Sequence, residues 1–258
     1  MKKYLASALA IAAVAASTTP ASAEPWRVRL GLGAQVGPQF PGDDSLAVLP
    51  YPKISVARGD KPFAFGAHDD SFSITLLSSG GFSFGPAAQI SEGRDESDLD
   101  VEVGDVDRTI ELGAFAQYYF GENFRLRGEI RKALGGHDGV LGHVAADYVA
   151  RDGDRYAFAV GPRVRFVDSE YMESFFGISP EVSLITGLPV YDPDGGLHAV
   201  GVMASGDYSL GGPWGLFGYV GYDRLVGDAK DSPIVRDFGS PNQFSAGIGV
   251  SYTFNLNP

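Results

Sequence analysis

The chain has 258 residues, a formal net charge of −12 and no cysteine. The acidity argues against a nucleic-acid partner and against polybasic attraction to anionic lipid, and the missing cysteines exclude disulfides and thiolate sites. Beyond the N-terminus no stretch nears the roughly 18 consecutive apolar residues of a membrane helix, whereas the strands of a membrane barrel need only about 9–11 residues with alternate apolar positions.

Lys2 and Lys3 precede an apolar run from Leu5 to Ala16 and then Ala21-Ser22-Ala23. That order reads as a secretory signal peptide over residues 1–23, leaving 24–258 as one β-barrel domain. Alternation then begins. Trp26, Val28, Leu30, Leu32 and Val36 oppose Arg27, Arg29 and Gln35, predicting a strand over 26–37. A second strand is expected over 47–58. Residues 62–78 read as one long strand or as two short ones turning at His68-Asp69-Asp70, followed by a strand over 81–91. In 108–120, Ile110, Leu112 and Tyr118 face away from Glu111 and Gln117. The clearest strand is 123–133, where Phe124, Leu126 and Ile130 alternate with Arg125, Arg127, Glu129 and Arg131. A helix would scatter those charges around its circumference; a strand puts them on one face. Further strands follow at 140–151, 155–167, 196–210, 213–225 and 242–254.

Tight turn signals stand at 59–61, 80–81, 121–123, 152–154 and 211–212. Longer segments fall at 38–46, 92–107, 134–139, 168–195 and 226–241. Once 62–78 is split, short and long connections largely alternate, which is the pattern of short periplasmic turns and long external loops. Both termini of such a barrel normally lie in the periplasm, so the strand number is even. Twelve antiparallel up-and-down strands are expected, with ten as the alternative. Aromatic residues at segment ends (Trp26, Tyr118, Tyr119, Phe120, Tyr156, Trp214, Tyr222, Tyr252) suit interfacial girdles. The last strand carries Gly249, Tyr252 and Phe254, a glycine followed by aromatic residues two apart, as expected of a signal to the barrel-assembly machinery. A soluble barrel would alternate too, with its apolar face inward; the dense charged face, the strand count and the two terminal signals favour apolar-out, in the cell outer membrane against lipid and lipopolysaccharide.

With apolar side chains facing lipid, Arg27, Arg29, Lys53, Arg125, Arg127, Arg131, Arg163 and Arg165 point into the lumen, against Glu111, Glu129, Asp147 and Asp223. Two readings stay open: a narrow anion-selective channel, or an Arg–carboxylate ladder that fills the barrel. Catalytic patterns are weak, and no enzyme activity is expected. No G-x-S-x-G or H-E-x-x-H occurs. His143 and Asp147 would lie about 13 Å apart on a strand. The four histidines lack metal-ligand spacing, so neither metal nor cofactor is expected. Gly31-Leu32-Gly33 lies within a strand, which suits small inward residues rather than a nucleotide loop.

An ordered set of segments resembles the MipA/OmpV family of outer-membrane proteins. It comprises Gly37-Pro38-Gln39-Phe40-Pro41-Gly42-Asp43-Asp44, Gly93-Arg94, Glu111-Leu112-Gly113-Ala114-Phe115 and Gly135-Gly136-His137-Asp138-Gly139. It continues through Tyr171 to Ser179, Asp231-Ser232-Pro233-Ile234-Val235 and Asn242-Gln243-Phe244. The resemblance implies a non-enzymatic scaffold joining the lytic transglycosylase MltA to a bifunctional murein synthase. Other members of the family are linked with osmotic response and with adhesion, so a surface adhesin acting through 92–107 and 168–195 is a further expectation.

Overall fold

The computed structural model describes residues 24–256 apart from 96, 98 and 100; the segment read as a signal peptide, 1–23, lies outside them. The alternating segments form β1 (Trp26–Gly37), β2 (Ala47–Arg58), β3 (Phe72–Ser73), β4 (Leu77–Ser79), β5 (Phe82–Ser91), β6 (Thr109–Phe120), β7 (Phe124–Leu134), β8 (Val140–Asp152), β9 (Tyr156–Val167), β10 (Gly196–Gly211), β11 (Trp214–Leu225) and β12 (Asn242–Leu256). They make one antiparallel twelve-stranded sheet in the order β2-β1-β12-β11-β10-β9-β8-β7-β6-β5-β3, with β4 also on β5. β12 returns to β1, from Trp26↔Leu256 to Val36↔Ala246. The two ends of the described chain therefore meet at the rim of short turns.

The apolar face points outward. Leu32 is 64% exposed and Val220 60%, whereas Arg125 on the opposite face is 1% exposed. This inversion is what a lipid solvent demands and what water forbids. Val220 lies mid-strand in β11, so Val220→Arg should cost about 2–4 kcal/mol, read as a shift in the chemical-unfolding midpoint in phospholipid vesicles. The same substitution at Tyr219, one residue along and inward, tests packing instead.

Several of the expected girdle aromatics gather at the short-turn rim. Trp214 meets Tyr252 edge-on with ring centres 4.9 Å apart, and Tyr252 lies 4.8 Å from Phe254. Tyr118 meets Phe120, and Tyr156 meets Phe158. Two expected members stand elsewhere. Tyr119 shares the inward parity of Gln117 and sits opposite Arg125. Tyr222 belongs to the other rim, where its hydroxyl and the Asn242 amide oxygen are 2.9 Å apart.

The inward glycines of β1 and β12 have a packing reason. A Cβ on Gly31 would meet the Phe217 ring at 2.5 Å, and one on Gly249 would meet it at 2.4 Å. The glycines leave room for the Phe217 ring inside the barrel, beside Tyr51 and Tyr219.

The sheet differs from expectation at 62–78. Two short strands form there, but both pair with β5, and residues 62–71 leave the wall. Among the described residues no strand pairing joins β2 to β3 or β4, so β2 is a ladder edge. It carries Pro50 and Pro52 within an unbroken β1–β2 register, the placement that prolines tolerate only at an edge. The turn expected at His68–Asp70 does form, through the Asp70 N–H to the Ala67 carbonyl, but it lies inside the barrel.

The longer external connections are not bare loops either. They hold α1 (Ser169–Phe176), α2 (Pro180–Thr186), α3 (Gly227–Asp231) and α4 (Pro233–Phe238). Asp168 caps α1 by accepting from the Tyr171 N–H, and Ser179 caps α2 by accepting from the Val182 N–H. Phe40, Val106, Met172, Phe175, Phe176, Leu225 and Val235 pack beneath them as a small hydrophobic core. The external connections thus form a folded cap rather than bare loops.

Candidate functional site

Residues 62–71 occupy the lumen because the wall's cations need counter-charges there. A buried guanidinium without a carboxylate is far costlier than a paired one. Glu111, Glu129, Asp147, Asp207 and Asp223 come from the strands; Asp69 and Asp70 are delivered by the inner segment. Asp69 Oδ2 accepts from Arg163 Nε at 2.8 Å and from Arg165 Nη2 at 3.1 Å, and stands 3.2 Å from His143 Nε2. Asp70 accepts from both terminal nitrogens of Arg125, at 3.1 Å for Nη2. Apolar and aromatic groups of the segment complete the fit. The Phe63 ring lies 4.1 Å from the Arg29 guanidinium and 4.9 Å from that of Arg27, and Phe65 lies 4.9 Å from that of Arg125. His68 stacks on Tyr219 at 3.4 Å. The Phe63 N–H donates to Asp154 of the β8–β9 turn at 2.8 Å. The segment therefore spans from β1 and β2 to β7, β8, β9 and β11.

The residues singled out from sequence fall into connected ion-pair groups. Arg125 and Arg163 share Asp147, at 2.6 Å and 2.8 Å. Arg127 and Arg131 share Glu129, and Arg131 Nε also donates to Glu111 at 2.7 Å. Arg165 bridges Asp69 and Asp223. Lys53 pairs with Asp207 at 2.7 Å, with Arg29 at 4.0 Å from the same carboxylate. Arg27 pairs with Asp154 at 2.7 Å. None of these eight cations stands alone, so the basic face expected from the wall residues is neutralised within the lumen. Of the residues expected from sequence to signal assembly, Gly249 lies against Phe217, while Tyr252 and Phe254 join the aromatic rim beside Trp214. Sequence reasoning missed Asp69, Asp70, Asp154 and Asp207 as luminal acids. Asp207 was findable, since it shares parity with Met203 and Ser205 in β10. The other three sit in turns, where parity gives no direction.

Between the ion pairs and the cap, one cation fastens loop to helix. Arg94 is buried; it donates from Nη1 to the Phe175 carbonyl at 2.8 Å and from Nη2 to the carbonyls of Gly104 at 3.2 Å and Ser174 at 3.3 Å. It therefore satisfies carbonyls that the end of α1 leaves open. Burial lowers its pKa to about 10, which keeps it charged at neutral pH. Arg94→Ala should release residues 92–107, read as faster proteolytic nicking there while the barrel keeps its folded gel mobility. Arg94→Lys should not restore protection, because one ammonium cannot reproduce the planar fork.

Among the described residues no group of three or more His, Asp or Glu is placed to hold a metal ion. Residues 30–254 match the family model described as MltA-interacting protein MipA. No curated protein matches the chain. Among solved structures, an outer membrane channel from Pseudomonas putida F1 is similar at 10% identity, covering 92% of this chain and 100% of that one, with a TM-score of 0.44. OmpT, an outer membrane protein of Vibrio cholerae, is similar at 9% identity, covering 89% and 96%, with a TM-score of 0.35. The outer membrane protein OprG from Pseudomonas aeruginosa is similar at 12% identity, covering 90% and 97%, with a TM-score of 0.26.

Proposed function

We infer the function from one premise: this chain belongs to the MltA-interacting protein MipA family, whose model covers residues 30–254, and it is an outer-membrane β-barrel protein. Its role is that of a non-conducting interaction platform in murein maintenance, with a lytic transglycosylase of the MltA kind and a bifunctional murein synthase as partners, and it performs no catalysis itself. The observation that carries this reading is the occupied lumen. A chain segment fixed by Asp69 and Asp70 to Arg125, Arg163 and Arg165 fills the path a solute would take. A barrel filled in this way acts through its surfaces rather than through its pore.

The test combines two measurements on the folded protein. Planar bilayers should show no steady current. Co-purification at native expression should recover a murein hydrolase or synthase. A reproducible ohmic current from the unaltered protein would end this reading in favour of a narrow channel.

A second reading, attachment through the external face, is favoured by α2. Leu184 is 88% exposed and Ile185 69% exposed on a helix outside the membrane-spanning strands. If that face binds a surface, Leu184→Asp/Ile185→Asp should abolish cell attachment; unchanged attachment removes it.

A further inference from the structure

Among the described residues, three cations interrupt the outward apolar face of the strands: Arg58, Lys132 and Arg224. A charge on that face is costly at mid-membrane and tolerated near the interfaces, and all three stand at strand ends. Two of them have their charge engaged. Lys132 pairs with Glu170 of α1 at 2.8 Å. Arg58, at the short-turn rim, has its guanidinium 5.5 Å from the centre of the Trp26 ring. Arg224 differs: it is exposed, and among the described residues it forms no ion pair. Its Nη1 donates to Asn242 Oδ1 at 2.6 Å, and that oxygen is also 2.9 Å from the Tyr222 hydroxyl. The shared amide fixes the guanidinium at the rim and leaves its other N–H groups for a partner outside the protein.

Arg224 marks the headgroup level of the outer leaflet. It precedes Leu225, which packs in the core beneath the cap. Trp214, of the opposite aromatic rim, lies ten residues away on the same face of β11. Ten residues span about 33 Å of strand, or about 26 Å along the membrane normal at a tilt of about 40°, which is the height of an apolar band.

Between these two levels the outward face carries a groove of about 450 Å³, lined by Tyr148, Phe158, Val160, Ala204, Gly218 and Val220. The register explains it: Ala204 of β10 stands between Val160 of β9 and Val220 of β11, so a small side chain is flanked by taller ones. The strip from the groove up to Arg224 is apolar. Val202 pairs with Tyr222 and Val200 with Arg224, and both valines are exposed. Ala204 and Val220 lie four residues below Arg224 in this register, about 13 Å along the strand. One leaflet's half of the hydrocarbon core is about 15 Å deep, so a lipid with its head at Arg224 reaches the groove with its chain.

A groove that faces acyl tails is filled by an acyl chain; the cation above it adds a demand on the head. A guanidinium fork matches phosphate oxygens, and a phosphate monoester carries about −1.5 to −2 charge at neutral pH, more than a phospholipid diester. In the outer leaflet of an outer membrane, the acylated lipid bearing such phosphates is the lipid A of lipopolysaccharide. We propose that Arg224 and the groove over β9, β10 and β11 form a binding site for lipid A, with one phosphate on Arg224 and one acyl chain in the groove. The site rests on the outer-membrane location and is independent of the murein platform.

Native mass spectrometry tests this on the folded full chain, titrated in detergent micelles with bisphosphorylated lipid A and, separately, with phosphatidylglycerol. Lipid A should give a one-to-one adduct that phosphatidylglycerol does not match at equal concentration. Arg224→Gln should weaken the adduct about fivefold or more, the contribution of one arginine at a membrane surface. Ala204→Phe fills the groove, leaves Arg224 in place and should weaken the adduct as well. Arg58→Gln, at the opposite rim, should leave it unchanged. All three positions face lipid rather than the packed lumen, and folded gel mobility of each variant confirms that it has assembled. The proposal is overturned by absence of the lipid A adduct, by equal binding of phosphatidylglycerol, by unchanged affinity in either Arg224→Gln or Ala204→Phe, or by an equal loss in Arg58→Gln.

Discussion

Asp147→Ala should produce the largest loss of stability of any single substitution in this barrel, about 3–5 kcal/mol. Asp147 is fully buried on β8 and accepts from Arg125 at 2.6 Å and from Arg163 at 2.8 Å. Removing it leaves two buried guanidinium groups competing for what Asp69 and Asp70 still supply. Attraction between groups at this depth is screened little, and the penalty for an uncompensated charge exceeds what the intact pair contributes net. Asp147→Asn separates charge from shape: it keeps a hydrogen-bond acceptor and should cost less than alanine. The contrast case is Arg108, which pairs with Glu92 at 2.6 Å while both side chains are about half exposed. Arg108→Ala should cost under about 1 kcal/mol, because an exposed pair is screened by water. The check is the temperature at which each variant changes from folded to unfolded mobility on gels, together with urea unfolding in micelles. A loss at Asp147 no larger than that at Arg108 would show that the luminal network is not what holds the wall together.

The wall of this protein was legible in its sequence because a strand pointing one face to lipid must alternate. Arg125, Arg127, Glu129 and Arg131 segregate cleanly from Leu126 and Ile130, and the structure keeps that division residue by residue. Long external connections and tight turns were legible for the same reason: alternation stops there. The inner segment was not legible. Phe63, Phe65 and Ala67 repeat every second residue as a wall strand would, and nothing local distinguishes a segment that pairs with β2 from one that fills the lumen. The decision is made at a distance, by Arg125, Arg163 and Arg165 on strands about 55 to 96 residues away in sequence. The cap helices were legible and were missed. Ser179-Pro180 and Ser232-Pro233 each place a capping hydroxyl before a proline at the first helical position, a start signal as clear as any turn. The irregularity between Leu197 and Ala199 in β10 shows in the sequence only as a change of phase, outward Leu197 being followed by outward Val200 and Val202.

On the non-conducting reading proposed above, replacing residues 63–70 by an equally long glycine–serine tract should give a conducting barrel with anion preference. The length is kept so that β2 and β3 stay connected. The tract has no Asp69 or Asp70, no Phe63 to lie against Arg27 and Arg29, and no His68 to stack on Tyr219, so nothing anchors it across the lumen. Arg125, Arg163 and Arg165 then retain only the wall acids Asp147 and Asp223. The interior becomes net basic, and rings of guanidinium groups lower the barrier for anions. The basic charge read from the strands is thus paired in the folded protein, with Asp69 and Asp70 of the inner segment supplying part of the counter-charge. Planar-bilayer recordings check both parts. Current should appear only in the replaced variant, and its reversal potential in a salt gradient should lie toward the anion. Adding Arg125→Gln and Arg127→Gln should reduce that preference without closing the path. A replaced variant that keeps folded gel mobility yet stays silent would place the blockage elsewhere, in the cap; one that conducts with cation preference would show that the luminal charge balance is set by acids other than Asp69 and Asp70.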